Sequence, residues 1–138
     1  MKSILFSLVL FVLTNTSKSQ TYKFNGDWFG TITETGGQTL SVRLKIENND
    51  VSQYFHDPDQ DRWNPVSPVV ARYNSNKNNF LYYWMNNSSV WSETQTYALS
   101  YVNDDKLYVV WSRQVNNIKE NENNDVWSLQ GSGYLTKR

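Results

Sequence analysis

Residues 26–47, GDWFGTITETGGQTLSVRLKIE, read as two strands and the turn between them. From Thr39 to Glu47 apolar and polar residues alternate without a break: Leu40, Val42, Leu44 and Ile46 point one way, Ser41, Arg43, Lys45 and Glu47 the other. Successive side chains of a strand leave opposite faces, so this pattern puts one face in a core and the other in water. Trp28 to Thr33 makes the strand before it, and Gly36-Gly37 supplies the turn.

The same rhythm continues outward. Asn48-Asn49-Asp50 turns the chain into Val51 to His56, and further strands are expected at Val69 to Tyr73, Phe80 to Met85, Val90 to Tyr101, Lys106 to Val115 and Val126 to Thr136. No stretch of this region carries a helical period. The expected fold is all-β: a single antiparallel up-and-down β-barrel of about eight strands, whose interior is just wide enough to be filled or to hold one small ligand. The rhythm breaks at His56 to Pro68 (HDPDQDRWNPVSP), which holds all three prolines and reads as a long irregular loop. Asn116 to Asp125 reads as a solvated polar loop.

The first nineteen residues stand apart. Met1-Lys2, the apolar run Ile4 to Leu13 and the small-x-small sequence Ser17-Lys18-Ser19 have the form of a cleaved signal peptide, 1–19, ahead of a barrel domain, 20–138. A secreted protein, extracellular or periplasmic, is the corresponding expectation. There is no cysteine, so a core alone must hold the domain, which is feasible at roughly 120 residues. Thirteen basic residues balance thirteen acidic ones and no stretch clusters Lys or Arg, which argues against nucleic acid and anionic membranes. Six Trp, nine Tyr and six Phe are the outlier. Aromatics fill barrels, and they also build surfaces that stack on rings or sugars.

Trp84, Trp111 and Trp127, then Gly133 and the final Thr136-Lys137-Arg138, resemble the closing strands of avidin-like barrels, and Gly26-Asp27-Trp28 resembles the opening strand of both avidin-like and lipocalin-like (calycin) barrels. The likeness covers roughly the last sixty residues and the opener. It implies an eight-stranded barrel with biotin or a similar small molecule at one mouth, and aromatic walls at Trp84 and Trp111. The polar positions that contact biotin in that family fall on Gly30, Glu34, Ser89, Trp91 and Leu135, so one hydroxyl remains.

Strand parity gives an independent view of the interior. It turns inward Trp28, Gly30, Ile32 and Glu34; Phe80, Tyr82 and Trp84; Trp91, Glu93, Gln95, Tyr97 and Leu99; Leu107, Val109, Trp111 and Arg113; and Trp127, Leu129, Gly131, Gly133 and Leu135. Glu93, Gln95 and Arg113 are the polar exceptions, and a buried polar residue is the informative one. Two uses compete for Arg113: packing over Trp28 to close a barrel end, or contact with a ligand. The expected ligand-binding set is Trp28, Tyr82, Trp84, Trp91, Glu93, Gln95, Trp111 and Arg113. Phe80 to Met85 and Leu107 to Trp111 are apolar on both faces, which implies a cover over their outer side, either a second copy of the chain or a glycan.

Chemistry-bearing motifs are sparse. Asp57-Pro58-Asp59-Gln60-Asp61 alternates acids as calcium loops do, but Arg62 and Pro68 stand where such a loop needs its glycine and closing glutamate. His56 is the single histidine and there is no cysteine, so no zinc site and no cofactor is expected. Glu34 and Glu93 could be paired carboxylates of a glycosidase, but Arg113 is the natural partner of one of them, and no enzyme activity is expected. Asn86-Asn87-Ser88-Ser89 holds two overlapping glycosylation sequons. The leading expectation is a secreted, non-catalytic protein holding a small molecule or sugar in an aromatic-lined barrel mouth. The alternative is an exported protein-binding module, an enzyme inhibitor or immunity protein acting through a barrel face and the 57–68 loop.

Overall fold

A computed structural model describes residues 22–48, 50–66, 70–75, 78–88, 91–117 and 125–138. Residues 1–19, where a signal peptide and its cleavage site are expected, lie outside the described residues. Among the described residues, nine antiparallel strands follow a short 3-10 turn at Tyr22–Phe24: β1 (Gly26–Glu34), β2 (Thr39–Glu47), β3 (Asp50–Asp57), β4 (Arg62–Pro65), β5 (Val70–Ser75), β6 (Asn79–Ser88), β7 (Trp91–Asn103), β8 (Lys106–Asn117) and β9 (Asp125–Lys137). They form one sheet in the order β4-β3-β2-β1-β9-β8-β7-β6-β5, curled into a half-barrel. β2, β3, β6, β7 and β8 each lie between their neighbours in sequence, and β1 pairs with β9. The hydrogen-bonded ladder does not run all the way round: β4 and β5 are its edges, on either side of the connection 66–69.

Eight of these strands correspond to the eight periodic segments of the sequence. The ninth, β4, corrects the irregular-loop expectation for 56–68, because Arg62–Pro65 pairs with β3 through Asp57↔Arg62 and Tyr54↔Pro65. The hairpin turn is built from the acids themselves. Asp57 Oδ1 accepts the backbone N–H groups of Asp59 and Gln60, and Asp61 takes a positive φ of 45°. Pro65 sits on an edge strand, where its missing N–H breaks no ladder.

The seam between β1 and β9 is unusually close. A Cβ on Gly133 would run into the carbonyl oxygen of Thr31, and one on Gly30 into that of Tyr134. These glycines let the first and last strands of the meander lie side by side, which draws the sheet round upon itself.

The concave face carries the core: Trp28, Ile32, Val42, Leu44, Ile46, Phe80, Tyr82, Trp84, Tyr97, Leu99, Leu107, Val109, Trp111 and Leu135 are all buried. One end of it is sealed. Phe24 is 1% exposed and packs on Phe80 at 5.5 Å between ring centroids, while its carbonyl accepts the indole N–H of Trp28 at 2.7 Å. The cation over Trp28 is Lys137, with Nζ 5.3 Å from the ring, and not Arg113. The antiparallel register sets the far end of the sheet, where β3, β6 and β8 finish, well away from this plug.

Candidate functional site

At that far end a cavity of about 500 Å³ opens between the two arms of the half-barrel. Leu40, Ser41 and Val42 of β2, Gln53, Tyr54 and Phe55 of β3, and Pro65 and Val66 form one side. Trp84 and Asn86 of β6, Gln95 and Tyr97 of β7 and Arg113 of β8 form the other. The walls are mostly apolar with a few convergent polar groups, the usual make-up of a small-molecule site.

The polar groups form one connected network. Trp84 Nε1 donates to Gln53 Oε1 at 2.7 Å, and Gln53 Nε2 donates to the Tyr97 hydroxyl at 2.7 Å. Tyr97 donates to Gln95 Oε1 at 2.8 Å, which also receives the indole N–H of Trp111 at 2.9 Å. Gln95 Nε2 then donates to Glu93 Oε1 at 2.7 Å. Arg113 closes the series with Nε donating to Glu93 Oε1 at 2.7 Å and Nη2 to Oε2 at 3.2 Å. Gln53 is the bridge: it stands on β3 and reaches β6 and β7 across the interior, tying together the two arms that lack a ladder between β4 and β5.

Glu93 is buried, its side chain 10% exposed against 29% for Arg113. Burial pushes the Glu93 carboxyl up, but hydrogen bonds from Arg113, Gln95 and Trp91, with the charge of Arg113, outweigh it and hold the carboxyl below its ordinary value. Burial raises the hydroxyl of Tyr82, behind the cavity, to about 12 and pushes that of Tyr97, on its wall, higher still. Arg113 also lies over the Trp127 ring, its Cζ 4.7 Å from the centroid. The cation is thereby held flat between a carboxylate and an aromatic face.

Of the eight residues that parity assigned to a site, Trp84, Gln95 and Arg113 line the cavity. Glu93 and Trp111 stand behind them, joined by hydrogen bonds, and Trp91 is half-buried beside Glu93. Tyr82 is buried against Tyr97 with ring centroids 5.8 Å apart, away from the cavity wall. Trp28 is brought into none of this, because it lies at the sealed end. Gln53 and Tyr97 complete the site. Parity already turned Tyr97 inward, whereas Gln53 carried no signal, since its partners are 31 and 44 residues away.

Two acids of the 57–61 turn are engaged locally: Asp57 with backbone N–H groups, Asp61 with His56 at 3.1 Å. Among the described residues no group of three or more His, Cys, Asp or Glu converges as a metal site would require. On the convex face Leu81, Tyr83, Met85, Val110 and Tyr134 are exposed. No family model, no curated protein and no solved structure matches the chain.

Proposed function

We propose that this chain is a non-catalytic binding protein that holds a small molecule in the open end of its half-barrel. The observation that carries the reading is the cavity itself: about 500 Å³, walled by Leu40, Val42, Val66 and Trp84, with Gln53, Gln95 and Arg113 converging on it. The opposite end is plugged by Phe24, so the opening is one-sided, as a receptacle requires. In this reading the leader-like N-terminus sends the protein out of the cytoplasm, and a ligand drawing the 62–65 and 70–75 edges together would complete the closed barrel.

Intrinsic fluorescence tests it. A ligand stacked on Trp84 quenches emission, and Trp84→Ala weakens its binding by about 1–3 kcal/mol, the scale of one lost stacking or packing partner. Unchanged affinity in Trp84→Ala, in a variant that remains folded, would place binding elsewhere.

One observation favours the protein-binding alternative. The 57–61 turn is a defined hairpin tip held by Asp57, next to Phe55, which is 45% exposed. An inhibitor acting through that tip loses its partner on Asp59→Lys, a change outside the cavity wall that leaves small-molecule affinity unaffected.

A further inference from the structure

We infer that the cavity takes a ligand led by hydrogen-bond acceptors, a carbonyl or carboxylate on an apolar frame, and discriminates against ammonium groups. The inference rests on the binding reading above and concerns the class of ligand.

Hydrogen-bond direction carries it. An indole nitrogen can only donate. Trp84 therefore fixes the side-chain oxygen of Gln53, and Trp111 fixes that of Gln95. Flipping either amide would set N–H against N–H, so the orientation of both is dictated by their neighbours. With the oxygens fixed, each amide nitrogen gives one hydrogen to the network, Gln53 to Tyr97 and Gln95 to Glu93.

Most acceptors of the network are consequently taken. Gln95 Oε1 receives both Tyr97 and Trp111, which occupies its two lone pairs. The Tyr97 hydroxyl receives Gln53 and donates onward. Both oxygens of Glu93 receive Arg113, and the carboxylate stands behind the cavity wall. Beside one lone pair of Gln53 Oε1 and the two-way groups of Ser41 and Asn86, what remains is donors. Gln53 and Gln95 each keep a second amide hydrogen, and Arg113 keeps Nη1, with no further partner among the described residues. All three residues line the cavity.

A carbonyl or carboxylate oxygen can pair with these donors as it enters. An ammonium group brings donors only, and most of the oxygens of the network are already engaged. Losing water without a replacement partner counts against such a ligand. The guanidinium of Arg113 on the wall adds like-charge repulsion.

Calorimetric titration with three probes on one ring system, 2-naphthoate, neutral 2-acetonaphthone and 2-naphthylmethylamine, separates the possibilities. The expected result is that naphthoate and acetonaphthone both bind at least tenfold tighter than the amine. Gln53→Glu replaces a free N–H with an acceptor of the same shape, and it should weaken naphthoate tenfold or more while improving the amine. Gln53→Met, which removes the donor without adding charge, gives the same loss for acetonaphthone should the glutamate variant not fold. Acetonaphthone binding no tighter than the amine, or affinities unmoved by both substitutions, would overturn the inference and leave the cavity as a binding site. Absence of heat with all three probes at millimolar concentration would overturn the binding reading, and this inference with it.

Discussion

Glu93 couples the site to the stability of the fold. Its carboxylate is buried and accepts from Arg113 and Gln95, so removing Arg113 strands a charge. Arg113→Met should cost about 3 kcal/mol, the low end of the range for a buried pair because the guanidinium is partly wet. Glu93→Gln/Arg113→Met together should cost well under the sum of the single changes, read from urea unfolding of all four proteins. The sign with pH follows from the depressed Glu93 carboxyl. The pair stabilises the fold fully above the ordinary carboxyl value of 4.5, and the contribution disappears as pH falls through the lower value of the folded state. Glu93→Gln should therefore flatten the acid limb of the stability curve, and an unchanged limb would mean the pair is solvated. The pair was legible in the sequence, since Glu93 and Arg113 share inward parity on adjacent strands. Gln53 was not. In VSQYFH a glutamine looks like any solvent-facing residue until the curl of the sheet brings Trp84 and Tyr97 against it.

At the scale of elements, the alternation of Leu40 to Ile46 and of Phe80 to Trp84 was sufficient for strand existence and facing. Those residues are buried, apart from half-buried Leu40, and their neighbours in sequence are wetter. The strand β4 was hidden because Arg62-Trp63-Asn64-Pro65 lies among prolines and acids, and its pairing is earned by the turn before it, not by its own pattern. Closure was the least legible property, because ladder formation between edge strands depends on tertiary curl and leaves no local trace. The β1–β9 seam offers a sharp test of that curl. Gly133→Ala should destabilise by about 1–3 kcal/mol or more, since the new methyl meets the backbone carbonyl of Thr31, which cannot step aside as a side chain would. Phe24→Ala should cost about 3–5 kcal/mol by unplugging the sealed end. Thermal melts would check both, and a neutral Gly133→Ala would show that the seam is looser than described.

The molecule as a whole has two unlike ends and two unlike sides. One end is sealed by Phe24 over Trp28, and the other is open between β3 and β6. The convex side bears ion pairs over β1 and β2, such as Asp27–Arg43 at 2.6 Å, but exposes Leu81, Tyr83, Met85 and Val110 over β6 and β8. A second copy covering that apolar side is the expected assembly, and Tyr83→Glu or Val110→Lys should shift the protein towards monomer without unfolding it. Light scattering at tens of micromolar reads this directly, and a monomeric parent protein would refute it. The central claim is that the open end alone receives the ligand. It is tested most directly by a ¹H–¹⁵N spectrum that resolves indole and glutamine side-chain signals during titration with 2-naphthoate. Progressive shifts of the Trp84 indole and the Gln53 and Gln95 amides are expected, with the Trp28 indole unmoved. Shifts confined to Trp63 and the convex face, or a Trp28 signal that moves while Trp84 stays still, would contradict it.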